Sequence, residues 1–360
     1  MPLTTLHWLF FLFLTSAVAA QEVPDTVMQK IYAEIKTPFK YGLVVQPSSA
    51  NKKVDCPTVF RKDNKWYMSY IEFDGTGYET LLATSNDLLH WTTLGKMLTR
   101  SNDSTNWDAY QRAGYVALQD YNWGGTYALE PYKNNYWMTY IGGNTKGYEA
   151  GDLSIGIAKT NKDITTAHEW ETSKKPVLKA SDKTVRWWED KKLFKSTVIW
   201  DKQKTTGYPF VMYYNANGDT SHNRDKKTRW FERIGMAVSK DMQHWKRFQI
   251  DPVMHHKIGI TGDAVIQKIN DVWVMFYFGA FWEGRKDAFN RFACSYNLVD
   301  WTDWKGEDLI KPSTSFDSKY AHKPFVVKWN GVVYHFYNAV DDKENRAIAV
   351  ATSVDLTLKK

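Results

Sequence analysis

Residues Lys53–Tyr70 read KVDCPTVFRKDNKWYMSY, two apolar runs separated by the polar turn Lys62–Lys65. Asp55 stands at the head of the first run, and in the second Trp66, Met68 and Tyr70 alternate with Tyr67 and Ser69. Alternation of this kind, rich in aromatic residues, gives a strand two distinct faces that each need covering. The pattern returns as NNYWMTY ending at Tyr140, GYPFVMYY at Tyr214, NDVWVMFY at Tyr277 and NGVVYHFY at Tyr337. One supersecondary unit repeated at roughly 60–75 residues predicts a radial array of blades, not a sandwich.

A third strand follows each copy, and then a tail: SNDLLHW (Ser85–Trp91), SKDMQHW (Ser239–Trp245) and SYNLVDW (Ser295–Trp301). The tail predicts a turn in which the Ser and Asp side chains bond neighbouring backbone amides while the Trp packs back on the blade. The fold class expected is therefore all-β, a five-bladed β-propeller over residues 51–360 with an N-terminal extension at 21–50. Within the extension, Met28, Ile31, Tyr32 and Ile35 have helical spacing, and Tyr41–Val45 reads as a strand able to complete the last blade.

Composition narrows the class. The 360 residues carry a net charge of +7, scattered through turns with no Lys/Arg block, so no nucleic-acid arm is expected. The basic surface suits a partner of acidic character, such as an acidic polymer. Met1–Ala20 reads as a signal peptide, with Leu9–Leu14 as its apolar centre and Val18-Ala19-Ala20 before Gln21, although its start lacks Lys and Arg. That implies a secreted or periplasmic protein with no stable membrane span, since the run is too short to cross a bilayer. Two cysteines, Cys56 and Cys294, make neither a disulfide framework nor a thiolate metal site.

Inner strands of a propeller converge on its channel, so register decides which residues meet. Counting back from the aligned tyrosines places Asp55 and His322 fifteen residues before Tyr70 and Tyr337, and Asp263 fourteen before Tyr277. The third copy brings Lys195 and Ser196 to that level; the second brings Gly125, with Glu130 five residues on. Two carboxylates and an imidazole around one pocket suit general acid/base work. Glu149 and Glu232 open third strands near the same rim. The plainer alternative is that these polar groups only bond strand ends and trapped water.

At these residues the sequence resembles the five-bladed propeller glycoside hydrolases of families 32, 43, 68 and 117. The likeness rests on VDCPTVFRKDNKWYMSY with its leading Asp55, on the SNDLLHW and SKDMQHW tails and on the five-fold repeat, from about residue 50 to the end. It implies a hydrolase of plant or algal oligosaccharides, exo-acting and inverting, with Asp55 as general base. Family 43 would put its acid, a glutamate, on the third inner strand, where this sequence has Lys195 and Ser196. Similarity to the 3,6-anhydro-L-galactosidases implies His322 as acid with Asp263 in support; Glu130 and Glu232 are the alternatives. Trp123, Glu130, Glu149, Lys195 and Glu232 are the expected substrate-binding residues. The absent glutamate leaves a non-catalytic carbohydrate-binding propeller as the second reading. No cofactor is required; a structural calcium ion in the channel is what such propellers can hold, though no acidic loop here demands one.

Overall fold

The computed structural model describes residues 22–218 and 231–357; Met1–Ala20, expected to be a signal peptide, and nearly all of the insertion at 217–229 lie outside them. Helix α1 (Asp25–Ile35) leads into strand β1 (Phe39–Val45). Blade 1 comprises β2 (Lys53–Lys62), β3 (Lys65–Phe73), β4 (Tyr78–Ser85) and β5 (Thr92–Leu98). Blade 2 comprises β6 (Gln111–Val116), β7 (Tyr136–Gly143), β8 (Ser154–Thr160) and β9 (Glu171–Thr172). Blade 3 comprises β10 (Lys192–Trp200), β11 (Phe210–Asn217), β12 (Phe231–Ser239) and β13 (Trp245–Arg247). Blade 4 comprises β14 (Gly259–Ile269), β15 (Val272–Ala280), β16 (Ala288–Ser295) and β17 (Thr302–Asp303). Blade 5 takes β18 (Tyr320–Trp329), β19 (Val332–Val340) and β20 (Arg346–Thr352), and its outer strand is β1, antiparallel to β20 with Phe39 opposite Thr352. The protein is thus an all-β, five-bladed propeller whose last blade is closed by the N-terminal strand.

Local chemistry explains the repeat. In the first tail Ser85 Oγ accepts from the amides of Asp87 and Leu88, and Asp87 Oδ1 accepts from those of Leu89 and His90. Trp91 Nε1 donates back to Leu88 O at 3.1 Å. Ser239/Asp241/Trp245 make the same bonds, and in blade 4 Asn297 replaces the aspartate. These bonds hold Leu88, Met242 and Leu298 at φ of 67–69°, a left-handed turn that the side-chain acceptors stabilise.

The aligned tyrosines anchor each blade by their hydroxyls. Tyr140 donates to Asp108 at 2.9 Å, Tyr214 to Glu189, Tyr277 to Asp303 and Tyr337 to Asp317, while Tyr70 meets Thr93 Oγ1 at 2.8 Å. Between blades the core is apolar, with Phe276, Val326, Phe336 and Val350 fully buried beside α1 residues Met28, Ile31 and Ile35. Cys56 and Cys294 are both buried and unpaired.

One register expectation fails. Blade 2 does not place Gly125 or Glu130 on its inner strand, because β6 ends at Val116 and residues 117–135 form a long loop before β7. Counting back from Tyr140 assumes a tight hairpin, and here the hairpin is open. The blade 2 residue at the channel is Tyr115, opposite Thr139.

Candidate active site

Four inner strands carry an extra residue at the same depth. Pairing skips from Asp55 to Thr58, from Leu193 to Ser196, from Gly262 to Val265 and from His322 to Phe325. Such bulges re-aim side chains and cluster beside functional sites. Three of the extra residues, Cys56, Asp263 and Lys323, sit at φ of 52°, 56° and 57°. Non-glycine residues in that region persist only where the surroundings impose it. In blades 1 and 5 the next residue is Pro57 or Pro324, whose missing N–H suits an unpaired position.

The bulges line the bottom of a cavity of about 250 Å³ at the channel mouth. Its wall is a second ring made by the third strands. Cross-strand pairing aligns Tyr78, Glu232, Ala288 and Arg346 at one level, three residues before the partners of their blades' tyrosines, and all four line the cavity. Glu149, in the loop before β8, joins them.

Asp55 is 1% exposed and fully engaged. Its Oδ2 accepts from Lys323 Nζ at 3.0 Å and Arg346 Nη1 at 3.1 Å, and its Oδ1 accepts from the Cys56 amide at 3.1 Å. Burial alone would raise its pKa, but the Lys323 and Arg346 charges hold it well below the usual carboxylate range. Burial likewise opposes charge on Lys323, and Asp55 beside it drives that pKa well above the ordinary lysine value. Asp263 Oδ1 accepts from Asn215 Nδ2 at 2.7 Å, and its Oδ2 lies 3.7 Å from Lys195 Nζ and 3.6 Å from Cys56 Sγ. Asn338 plays Asn215's part for blade 1, accepting from the Cys56 amide at 2.8 Å and donating to Val54 O at 2.9 Å.

His322 is buried against Phe278 and Tyr320. Burial first, and the Lys323 charge second, push its pKa down to about 3, so the imidazole is neutral at ordinary pH. The glutamates behave oppositely. Burial pushes the pKa of Glu232 up to about 8, with the Glu149 and Asp263 carboxylates adding to it. Glu149 is raised by burial as well, with Lys323 opposing and Asp55 reinforcing. Neither glutamate makes a side-chain ion pair with the described residues.

The cavity thus unites Asp263, His322, Lys195, Glu149 and Glu232, with Asp55 behind it, bonded to the lining residues Lys323 and Arg346. It excludes two expected residues. Glu130 pairs with Lys202 at 2.6 Å on the open loop of blade 2. Trp123 donates to Glu34 at 2.8 Å and stacks on Phe276, so it packs against the N-terminal helix, outside the cavity lining. Sequence counting missed Lys323, Arg346, Tyr115, Asn215 and Asn338. The prolines inside β2 and β18 were the available signal for the bulges, and the Tyr-Asn pairs Tyr214-Asn215 and Tyr337-Asn338 were the signal for the asparagines. Among the described residues no group of three or more His, Cys, Asp or Glu is placed to hold a metal ion.

No family model and no curated protein matches the sequence. Solved structures do. One described as a glycoside hydrolase is 52% identical, with a TM-score of 0.88 over 93% of this protein and 97% of that one. The protein belongs to the glycoside hydrolases. A structure of BT0996 in an RGII complex matches this hydrolase with the same identity, TM-score and coverage. A family 117 glycoside hydrolase from the marine bacterium Zobellia galactanivorans shares the fold at 15% identity, with a TM-score of 0.62 over 90% of this protein and 92% of that one. A thermostable family-43 glycoside hydrolase does so at 14%, with a TM-score of 0.59 over 85% and 91%. The enzyme reading therefore stands over that of a non-catalytic propeller.

Proposed function

We propose that this glycoside hydrolase removes a terminal sugar from a plant or algal oligosaccharide, with Glu232 as general acid and Glu149 as its ionised partner. The observation that carries the reading is the contrast between the glutamates of the cavity and the aspartate behind it. Asp55 is held ionised by two cations that occupy its Oδ2, whereas burial raises both glutamates and Glu149 raises Glu232 further. Titratable groups pushed apart in this way mark acid/base assignments. Asp55, expected as the base, is a poor one while it is tied to Lys323 and Arg346. His322, expected as the acid, is neutral and has no imidazolium proton to give. Both roles pass to the glutamates, and Asp55 becomes the group that keeps two cations in place.

In the reaction, the Glu232 carboxyl proton goes to the glycosidic oxygen as the bond from that oxygen to the anomeric carbon breaks. Glu149 takes a proton from a water whose oxygen bonds to the same carbon, which inverts its configuration. The complex of the similar structure names RGII, so oligosaccharides prepared from RGII are the first substrates to try. Met1–Ala20 supports export to the periplasm or beyond, and protein recovered there should begin at Gln21.

The experiment is sugar release from RGII oligosaccharides, followed by chromatography and by proton NMR of the first anomer formed. E232Q and E149Q should each lose about 10²–10⁴-fold in kcat, the usual size of an acid/base contribution. A retained anomer would make Glu149 the nucleophile. Full activity in either variant would sink the assignment.

A further inference from the structure

Of the buried polar atoms in the cavity lining that lack a hydrogen-bond partner, two lie on inner strands. Lys195 Nζ and Tyr115 OH are buried without such a bond among the described residues, on residues 3% and 2% exposed. The ammonium lies 5.5 Å from the centre of the Tyr115 ring and 3.7 Å from Asp263 Oδ2. Leaving such donors unbonded is costly, so a built site reserves them for something that arrives. Asp263 is fixed for the same task, because Asn215 holds its Oδ1 and its backbone amide and leaves Oδ2 facing Lys195. A donor and an acceptor side by side, with a hydroxyl next to them, match two adjacent hydroxyls on one sugar ring.

Charge narrows the ring further. Lys195, Lys323 and Arg346 bring three cations to the cavity lining, against the carboxyl groups of Asp263, Glu149 and Glu232 in the lining and of Asp55 behind it. Glu344, also in the lining, is paired with Lys319 outside it. A sugar carboxylate would add a fifth carboxyl group to a buried set that holds three cations. At about 250 Å³ the space falls below the roughly 300–1,000 Å³ of pockets for drug-sized ligands, which leaves room for one sugar residue.

We propose that Lys195, Asp263 and Tyr115 clamp two adjacent free hydroxyls of a single neutral glycosyl residue, and so select the terminal sugar that is removed. The clamp rests on the reading of this cavity as the active site.

The test measures binding and stability together. Calorimetry of RGII oligosaccharides with E232Q, which keeps the clamp, should show binding; E232Q/K195M should weaken it at least about tenfold and E232Q/Y115F about two- to tenfold, the range for losing a charged and a neutral hydrogen bond. Because the Tyr115 hydroxyl has no hydrogen-bond partner in the free protein, thermal melting of Y115F should be unchanged or higher, which a merely structural hydroxyl would not allow. Unchanged affinity in both double variants, or release of a uronic acid by the wild type, would overturn the clamp. Absence of binding by both E232Q and the wild type would overturn the active-site reading and the clamp with it.

Discussion

Glu232 lines the cavity and Asp55 lies just behind it, and burial acts on both, yet their pKa values shift in opposite directions because only Asp55 has cations within 3.0–3.1 Å. A general acid must be protonated to work, so activity should hold below the Glu232 pKa and fall as pH rises through about 8. The profile of kcat/KM against pH checks this; E232Q should abolish the alkaline limb, while an unaltered limb would assign it elsewhere. Because the two glutamates interact, the limbs belong to the pair. Asp55 makes a different prediction. D55N leaves Lys323 and Arg346 buried with no counter-charge and should cost about 3–5 kcal/mol in urea unfolding, the range for breaking a buried ion pair. Its folded pKa is depressed, so its contribution is present above the unfolded carboxylate pKa of about 4 and is lost as pH falls toward the folded value. The gap between wild type and D55N should therefore narrow below about pH 4. E149Q and E232Q, which relieve repulsion, should melt no lower than the wild type.

At the scale of elements, β1 is the strand that closes the ring. It pairs with β20 from Phe39–Thr352 to Val45–Ile348, and α1 presses Met28, Ile31 and Ile35 into the core that blades 1, 4 and 5 share. Ile35 is 0% exposed, and its truncation leaves a cavity that a closed ring cannot collapse onto. Ile35→Ala should cost about 2–5 kcal/mol by chemical denaturation, in the range for large-to-small core changes. A cost below about 1 kcal/mol, under that range, would mean that the extension is an appendix. The bulges are the other decisive element. They cost three strained backbones at Cys56, Asp263 and Lys323, and in return aim one ring of side chains at the channel.

Over the whole molecule, closure should make the blades unfold together. Cys56 in blade 1 and Cys294 in blade 4 are both buried, and burial raises both thiol pKa values, to about 12 for Cys294. Neither should react with a thiol reagent at about pH 8 in the native protein, since the thiolate is the reactive form. In a guanidinium titration both should become reactive at one midpoint, coincident with the loss of tryptophan burial. Two separated midpoints would show that blades 1 and 4 open independently.

The repeat, the Ser-Asp-Trp tails, the closing strand and the convergence of Asp55, Asp263 and His322 are all legible in the sequence. Each depends on short-range chemistry, namely two-residue alternation, side-chain to amide turns and a constant hairpin length. Where hairpin length varied, at residues 117–135, counting failed and placed Gly125 at the level that Tyr115 occupies. Lys323 and Arg346 on Asp55, the neutral His322 and the raised glutamates were decided by tertiary structure alone. Charge state follows from burial and from neighbours hundreds of residues away, as with Asp55 and Arg346 across 291 positions, and no local pattern encodes those distances.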